Sequence, residues 1–252
     1  EIFVNLNNQA NKSPLPITQS HAIDFSKPIR KWDEPANLVI IVGPNMEKIW
    51  LDNLLDSASK KGLTVELIGD GNREVDLSEI DKCRQSGALG PSTQTIVALH
   101  GAVHEGMHIL ENSTNRNNTN TTEFLHRLRG NNESEKYNGT IHLISCSLGK
   151  TRNKIFKDQL LWNSGNYMLH SSSKEVALEN ASSNCLAIIN YIGECKREHV
   201  EPDFSTMACR IHEVTGDSLT LAGSNLEAPL LLSAAWKPEH LIPDYLLTAN
   251  IS

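Results

Sequence analysis

The chain has 252 residues, 39% of them hydrophobic but only 5% aromatic, and a formal net charge of −7. That length can bury a sizeable α/β core, and the aliphatic bias suits strands and helices. Lys and Arg are spread rather than banded, which argues against a nucleic-acid partner, and apolar runs such as Leu38 to Val42 and Leu226 to Trp236 fall far short of the roughly 20 residues of a membrane span.

Residues 1–36 are rich in Asn, Pro, Ser and Gln and are punctuated by Pro14, Pro16, Pro28 and Pro35, which predicts an extended arm wrapping the domain. Order is expected to begin at Leu38-Val39-Ile40-Ile41-Val42, a continuous apolar run of the kind found in a strand buried on both faces. Met46 to Lys61 sets Ile49, Trp50, Leu54 and Leu55 at helical spacing, with Gly62 as a C-cap. A second strand is predicted at Thr64 to Ile68, closed by the turn Gly69-Asp70-Gly71-Asn72, and a short helix capped by Asp76 or Ser78 runs to about Gln85. Thr95 to Leu99 reads as the third strand and leads straight into His100-Gly101.

A hairpin or loop is expected next, and the Asn/Thr/Ser-rich stretch from Asn112 to Thr122 reads as a surface loop. Its sequons, Asn112, Asn117 and Asn120 among them, follow from that composition and are not taken as signs of glycosylation. Helices are predicted at about Thr121 to Arg129, Thr151 to Trp162 and Ser182 to Arg197, and strands at Thr140 to Ser145 and Tyr167 to His170. Strand and helix alternate at crossover length, so a mostly parallel sheet covered on both faces is the economical topology for residues 37–222. The tail from Thr220, with Pro229, Pro238 and Pro243, is expected to be irregular apart from Leu230 to Ala235, and 223–252 is read as an extension packed on the same domain.

The five cysteines, Cys83, Cys146, Cys185, Cys195 and Cys209, show no paired spacing. Such a set reads as reduced thiols, in a cytoplasmic protein or one delivered into a reducing cytosol. The chain opens with Glu1 and no leader pattern, so upstream residues are expected to have been trimmed and targeting is not readable.

Two of the predicted strands end on reactive side chains, one at His100-Gly101 and one at Ser145-Cys146. A parallel sheet delivers the residues at its C-terminal strand ends to one crevice, so this His and this Cys are expected to meet as a dyad. A thiolate attacks a carbonyl, and an imidazole raises thiolate content or protonates the leaving amine. Gly101 removes a Cβ where a substrate backbone must approach, and the amides of Gly101 and Cys146 are candidate oxyanion donors. The bland alternative is that His100 merely ends a strand and Cys146 packs as a small hydrophobe.

The order of these features resembles the caspase-like cysteine peptidases, the group of caspases, legumains, gingipains, clostripain and the self-cleaving domains of large bacterial toxins. In that group a His-Gly ends the third core strand and a nucleophilic Cys, often after a small residue, ends the fourth. The matching residues here are His100-Gly101 and Ser145-Cys146-Ser147, and the resemblance spans about Leu38 to Tyr191. The caspase pentapeptide around the cysteine is absent, which disfavours a true caspase. The resemblance implies a caspase-like three-layer α/β sandwich, a cysteine endopeptidase that uses His100 and Cys146, substrate contacts at Gly101 and Ser145, a protein or peptide substrate, and no cofactor for the chemistry. It leaves room for activation by self-cleavage or by a ligand.

A competing motif lies a few residues on. His104-Glu105-Gly106-Met107-His108 matches H-E-x-x-H, in which two histidines one helical turn apart bind zinc, with Glu123 or Glu133 as a conceivable third ligand. The flanking and internal glycines oppose a helix, and Gly106 to Leu110 reads better as a hairpin strand. A third alternative, of a different class, is a degenerate module that only binds a protein partner. His142 is expected to be structural or partly exposed. Lys150 and Arg152 are read as solvated charges, and Cys83, Cys185, Cys195 and Cys209 as core packing.

Overall fold

Five aliphatic residues in a row leave no polar face for a strand to turn to water, and Leu38–Val42 (β1) is accordingly buried at every position. It lies at the centre of a computed structural model that describes residues 34–44, 48–111, 118–130, 137–146, 148, 165–170, 178–223 and 230–232. The arm expected over most of 1–36 and the helix expected at Thr151 to Trp162 lie outside the described residues, as do Lys150, Arg152 and Glu133.

In chain order, β1 is followed by α1 (Lys48–Lys60), β2 (Val65–Ile68), α2 (Leu77–Gln85), β3 (Gln94–Ala98), β4 (His100–His104), β5 (Met107–Glu111) and β6 (Asn118–Asn120). Then come α3 (Thr121–Arg129), β7 (Ile141–Ile144), β8 (Asn166–His170), α4 (Leu178–Glu198), α5 (Phe204–Thr215), β9 (Leu219–Gly223) and β10 (Leu230–Leu232). The main sheet has seven strands in the order β10-β9-β8-β7-β3-β1-β2. From β2 across to β8 the pairing is parallel, and β9 and β10 join antiparallel. One face, carrying Ile40, Ile96, Ile144 and Met168, is covered by α1, α4 and α5, as Leu54, Ile188 and Ile211 show. The other, carrying Val39, Val97, Ile141 and Leu143, is covered by α2 and α3 through Ile80, Phe124 and Leu128. This is the three-layer α/β sandwich expected from the sequence.

Local chemistry sets the boundaries. Asp76 is the N-cap of α2, accepting from the Ser78 amide. The glycines of 69–72 form the predicted turn, with Gly69 and Gly71 at positive φ and the Asp70 carboxylate accepting from the Asn72 and Arg73 amides. Those bonds, the Asn72 amide foremost, hold the Asp70 carboxyl below its ordinary value.

Three expectations need correction. The Asn112 to Thr122 stretch is not a loop at its far end, because Asn118–Asn120 pairs with β5 and Thr121 opens α3 with Asn120 as its cap. The segment around Cys209, left unassigned in the sequence, is α5, whose apolar Met207, Ala208 and Ile211 recur at helical spacing. The tail does not turn irregular at Thr220. Leu219–Gly223 is a fully buried strand on β8, and Leu230–Leu232 pairs with it, so residues of the expected extension complete the main sheet.

Candidate active site

The third core strand does not run unbroken into His100. β3 ends at Ala98, Leu99 turns into the core at 2% exposure, and His100 opens β4 of a second, three-stranded sheet ordered β4-β5-β6. This small sheet sits over the C-terminal ends of β1 and β7. A Cβ on Gly43, just past β1, would stand 2.3 Å from the Leu99 side chain and 3.4 Å from the Glu111 carbonyl, and one on Gly101 would stand 2.1 Å from Ser145 Oγ.

His100 is half-buried and pairs across β4–β5 with Glu111, while Gly101 pairs with Leu110. Ser145 follows the last residue of β7 and is 3% exposed, and Cys146 occupies the next turn, half-buried. The four residues singled out in the sequence therefore lie just past the C-terminal ends of β3 and β7, His100 and Gly101 on the small sheet and Ser145 and Cys146 in the turn after β7. Gly101 has a packing reason beyond any substrate: a side chain there would collide with Ser145 Oγ and would also stand 2.8 Å from Cε1 and Nε2 of His108. Ser145 Oγ finds no hydrogen-bond partner among the described residues, an uncommon state for a buried hydroxyl.

The sequence missed His108 as a member of this cluster. It is 1% exposed, with Nδ1 2.6 Å from Thr121 Oγ1 and Nε2 2.8 Å from the Cys146 carbonyl oxygen. Burial holds its pKa below the ordinary histidine value, the Cys146 carbonyl pulling weakly the other way, so the ring is neutral. The only available signal was its place in β5: alternation from exposed Met107 turns His108 and Leu110 inward.

That geometry also overturns the zinc reading. The motif lies on a β-hairpin whose two-residue turn, Glu105 and Gly106, has φ of 50° and 75°. Two successive positive φ values are what a type I′ hairpin turn requires. His104 pairs with Met107, and His108 is the next residue along, so the two histidines point to opposite faces of the ribbon. His104 is exposed while both nitrogens of His108 are engaged, and Glu123 lies exposed on α3. A helix would have put both imidazoles on one face, and the hairpin forbids it.

His142 is structural, as expected, and belongs to a buried diagonal across the sheet. Its Nε2 is 3.1 Å from Gln94 Oε1 on β3, and its Nδ1 is 3.0 Å from His170 Nε2 on β8. Desolvation drives His142 well below the ordinary value and His170 to about 3. The Asn184 side chain favours charge on His170, yet neither His170 Nδ1 nor Asn184 Oδ1 completes a hydrogen bond. Among the other cysteines, Cys83, Cys185 and Cys195 are buried, and burial pushes the Cys185 and Cys209 thiols up, Cys209 to about 11. Cys185 packs in the core as expected, whereas Cys209 is only half-buried on α5, where its Sγ donates to the Ser205 carbonyl at 3.0 Å.

No protein-family model matches the chain, and no curated protein matches it. Among solved structures the chain is similar to the Drosophila initiator caspase Dronc, with a TM-score of 0.45, 10% identity, and coverage of 77% of this chain and 82% of that one. It is also similar to protein GSU0716 from Geobacter sulfurreducens, with a TM-score of 0.44, 10% identity, and coverage of 77% and 96%.

Proposed function

We propose that the chain is a cysteine endopeptidase with Cys146 as nucleophile and His100 as its acid–base partner, acting on a protein or peptide substrate. The supporting observation is the contact between the two motifs, Gly101 lying against Ser145, since the residues that flank this contact are His100 and Cys146. The thiolate adds to the carbonyl carbon of a peptide bond, forming a C–S bond and an oxyanion. The tetrahedral adduct collapses, the C–N bond breaks, and the departing amine takes a proton from the His100 imidazolium. Water, giving a proton back to His100, then splits the thioester and returns a carboxylic acid and the thiolate–imidazolium pair. In this reading the amides of Gly101 and Cys146 receive the oxyanion.

The test is cleavage of a peptide library by the full chain, followed by mass spectrometry, with wild type, Cys146→Ala and His100→Ala side by side. Wild type cleaves, both variants lose turnover together, and circular dichroism stays unchanged. Iodoacetamide labels Cys146 first among the five thiols and stops cleavage. Turnover that persists in folded Cys146→Ala protein overturns the peptidase reading, and a biological readout that persists without any wild-type cleavage points to a binding module.

A further inference from the structure

Cys146 sits in a turn, where a backbone free to rotate would scatter the direction in which its side chain leaves. We propose that His108 is a positioning residue that fixes the main chain at Cys146 through its carbonyl, an inference that rests on the reading of Cys146 as nucleophile.

The hydrogen-bond chemistry determines the protonation pattern. A carbonyl oxygen only accepts, so the 2.8 Å contact to Cys146 requires a proton on His108 Nε2. A neutral imidazole has one N–H, so Nδ1 is bare and accepts from the Thr121 hydroxyl at 2.6 Å. Thr121 is fully buried as the first residue of α3, which leaves its hydroxyl and the ring shielded from competing water. The relay therefore runs from α3 through Thr121 and His108 to the peptide group that follows Cys146. Anchoring that peptide fixes ψ of Cys146 and with it the exit of the Cα–Cβ bond toward the crevice. Gly101 completes the device, because a side chain there would occupy the space of the imidazole edge. The pattern parallels the outer-shell bonds by which active-site side chains are generally held to productive geometry, where misplacement by about 1 Å can cost a hundredfold in rate.

Gln is the informative replacement. Its amide N–H can reach where Nε2 donates, but it carries no titrating proton. With the full chain and a cleaved library peptide as substrate, His108→Phe is expected to lower kcat by about 10- to 100-fold with KM changed less than about twofold. His108→Gln should recover most of that loss. Thr121→Val, which frees the ring to take the other tautomer, should fall between them. The rate of Cys146 alkylation by iodoacetamide, read without any peptide, should follow the same order. If His108→Phe does not fold, Thr121→Val and His108→Gln still carry the test. Wild-type kcat in folded His108→Phe or in Thr121→Val overturns the positioning role. His108→Gln as inactive as His100→Ala also overturns it, because the ring would then be moving a proton. A wild-type chain that cleaves no peptide removes the parent reading, and the inference with it, by a result distinct from either of these.

Discussion

The two ends of the main sheet are built on opposite terms. At the N-terminal end, α3 finishes in Arg129, 1% exposed, whose Nε donates to Tyr167 Oη at 3.0 Å, Nη1 to the carbonyls of Tyr137 at 3.0 Å and Gly139, and Nη2 to the Asn166 carbonyl at 2.8 Å. Its guanidinium also lies 5.0 Å and 4.4 Å from the ring centres of Tyr137 and Tyr167. Tyr137 Oη donates to Thr93 O and accepts from Thr95 Oγ1. Every polar group named here has a partner, and burial raises the Tyr137 hydroxyl far above its usual range. At the C-terminal end, Ser145 Oγ and His170 Nδ1 have none among the described residues, the chain changes sheets at Leu99, and a glycine is needed for clearance. The difference is one of satisfaction: one end uses its polar groups to hold strands together, and the other keeps two buried ones without a partner among the described residues.

The sharpest way to break that contrast is to empty the closed end. Arg129→Met leaves three carbonyls and the Tyr167 hydroxyl without their donor, and is expected to cost about 3–5 kcal/mol of unfolding free energy in urea titrations. Turnover per folded molecule should stay within about twofold of wild type. A loss below about 1 kcal/mol, or folded protein with impaired turnover, would show that the two ends are not separate.

The open end responds the other way. Gly101→Ala sets a methyl group against Ser145 and the His108 ring, and should lower turnover about a hundredfold with a smaller loss of stability, about 1–2 kcal/mol. Stopped assays paired with thermal melts separate the two effects. Unchanged turnover would mean that the contact between the motifs has no bearing on the reactive residues.

Acid sharpens the comparison through the buried histidine diagonal. His170, with its pKa lowered to about 3, and His142 are both neutral in the folded state, whereas in the unfolded chain they take up protons near pH 6.5. The unfolded state then binds more protons, so stability is full above about pH 6.5 and falls as pH drops toward the folded value. For His170 alone this amounts to about 2 kcal/mol by pH 5. Urea midpoints should decline over that window in wild type and flatten in a folded His142→Gln/His170→Gln double variant. An unchanged decline in the double variant would place the acid sensitivity elsewhere.

Much of this was legible in the sequence because buried parallel strands and amphipathic helices carry strong local signals. Leu38–Val42 and Thr121–Arg129 fall where the pattern put them, and the other described elements expected between Met46 and Arg197 shift by a few residues. The poor helix propensity of glycine also told against a helix at His104 to His108, although Gly106, expected in the hairpin strand, lies in the turn before it. The β9 strand was obscured because Leu219–Gly223 precedes a proline-bearing tail, and its strand character comes from pairing with β8, a contact far away in sequence.

Sequence by itself determined the alternation of strands and helices and the position of His100 and Cys146 shortly after β3 and β7, since periodicity and glycine placement act over a few residues. Only the tertiary structure decided which side chains touch. His108 stands 38 residues from Cys146 in the chain, and the bond between them exists because a small sheet folds back over the edge of a large one. No local propensity encodes that closure, which depends on β5 and α3 burying Leu110, Phe124 and Leu125 against the sheet and so carrying His108 and Thr121 to the turn at Cys146.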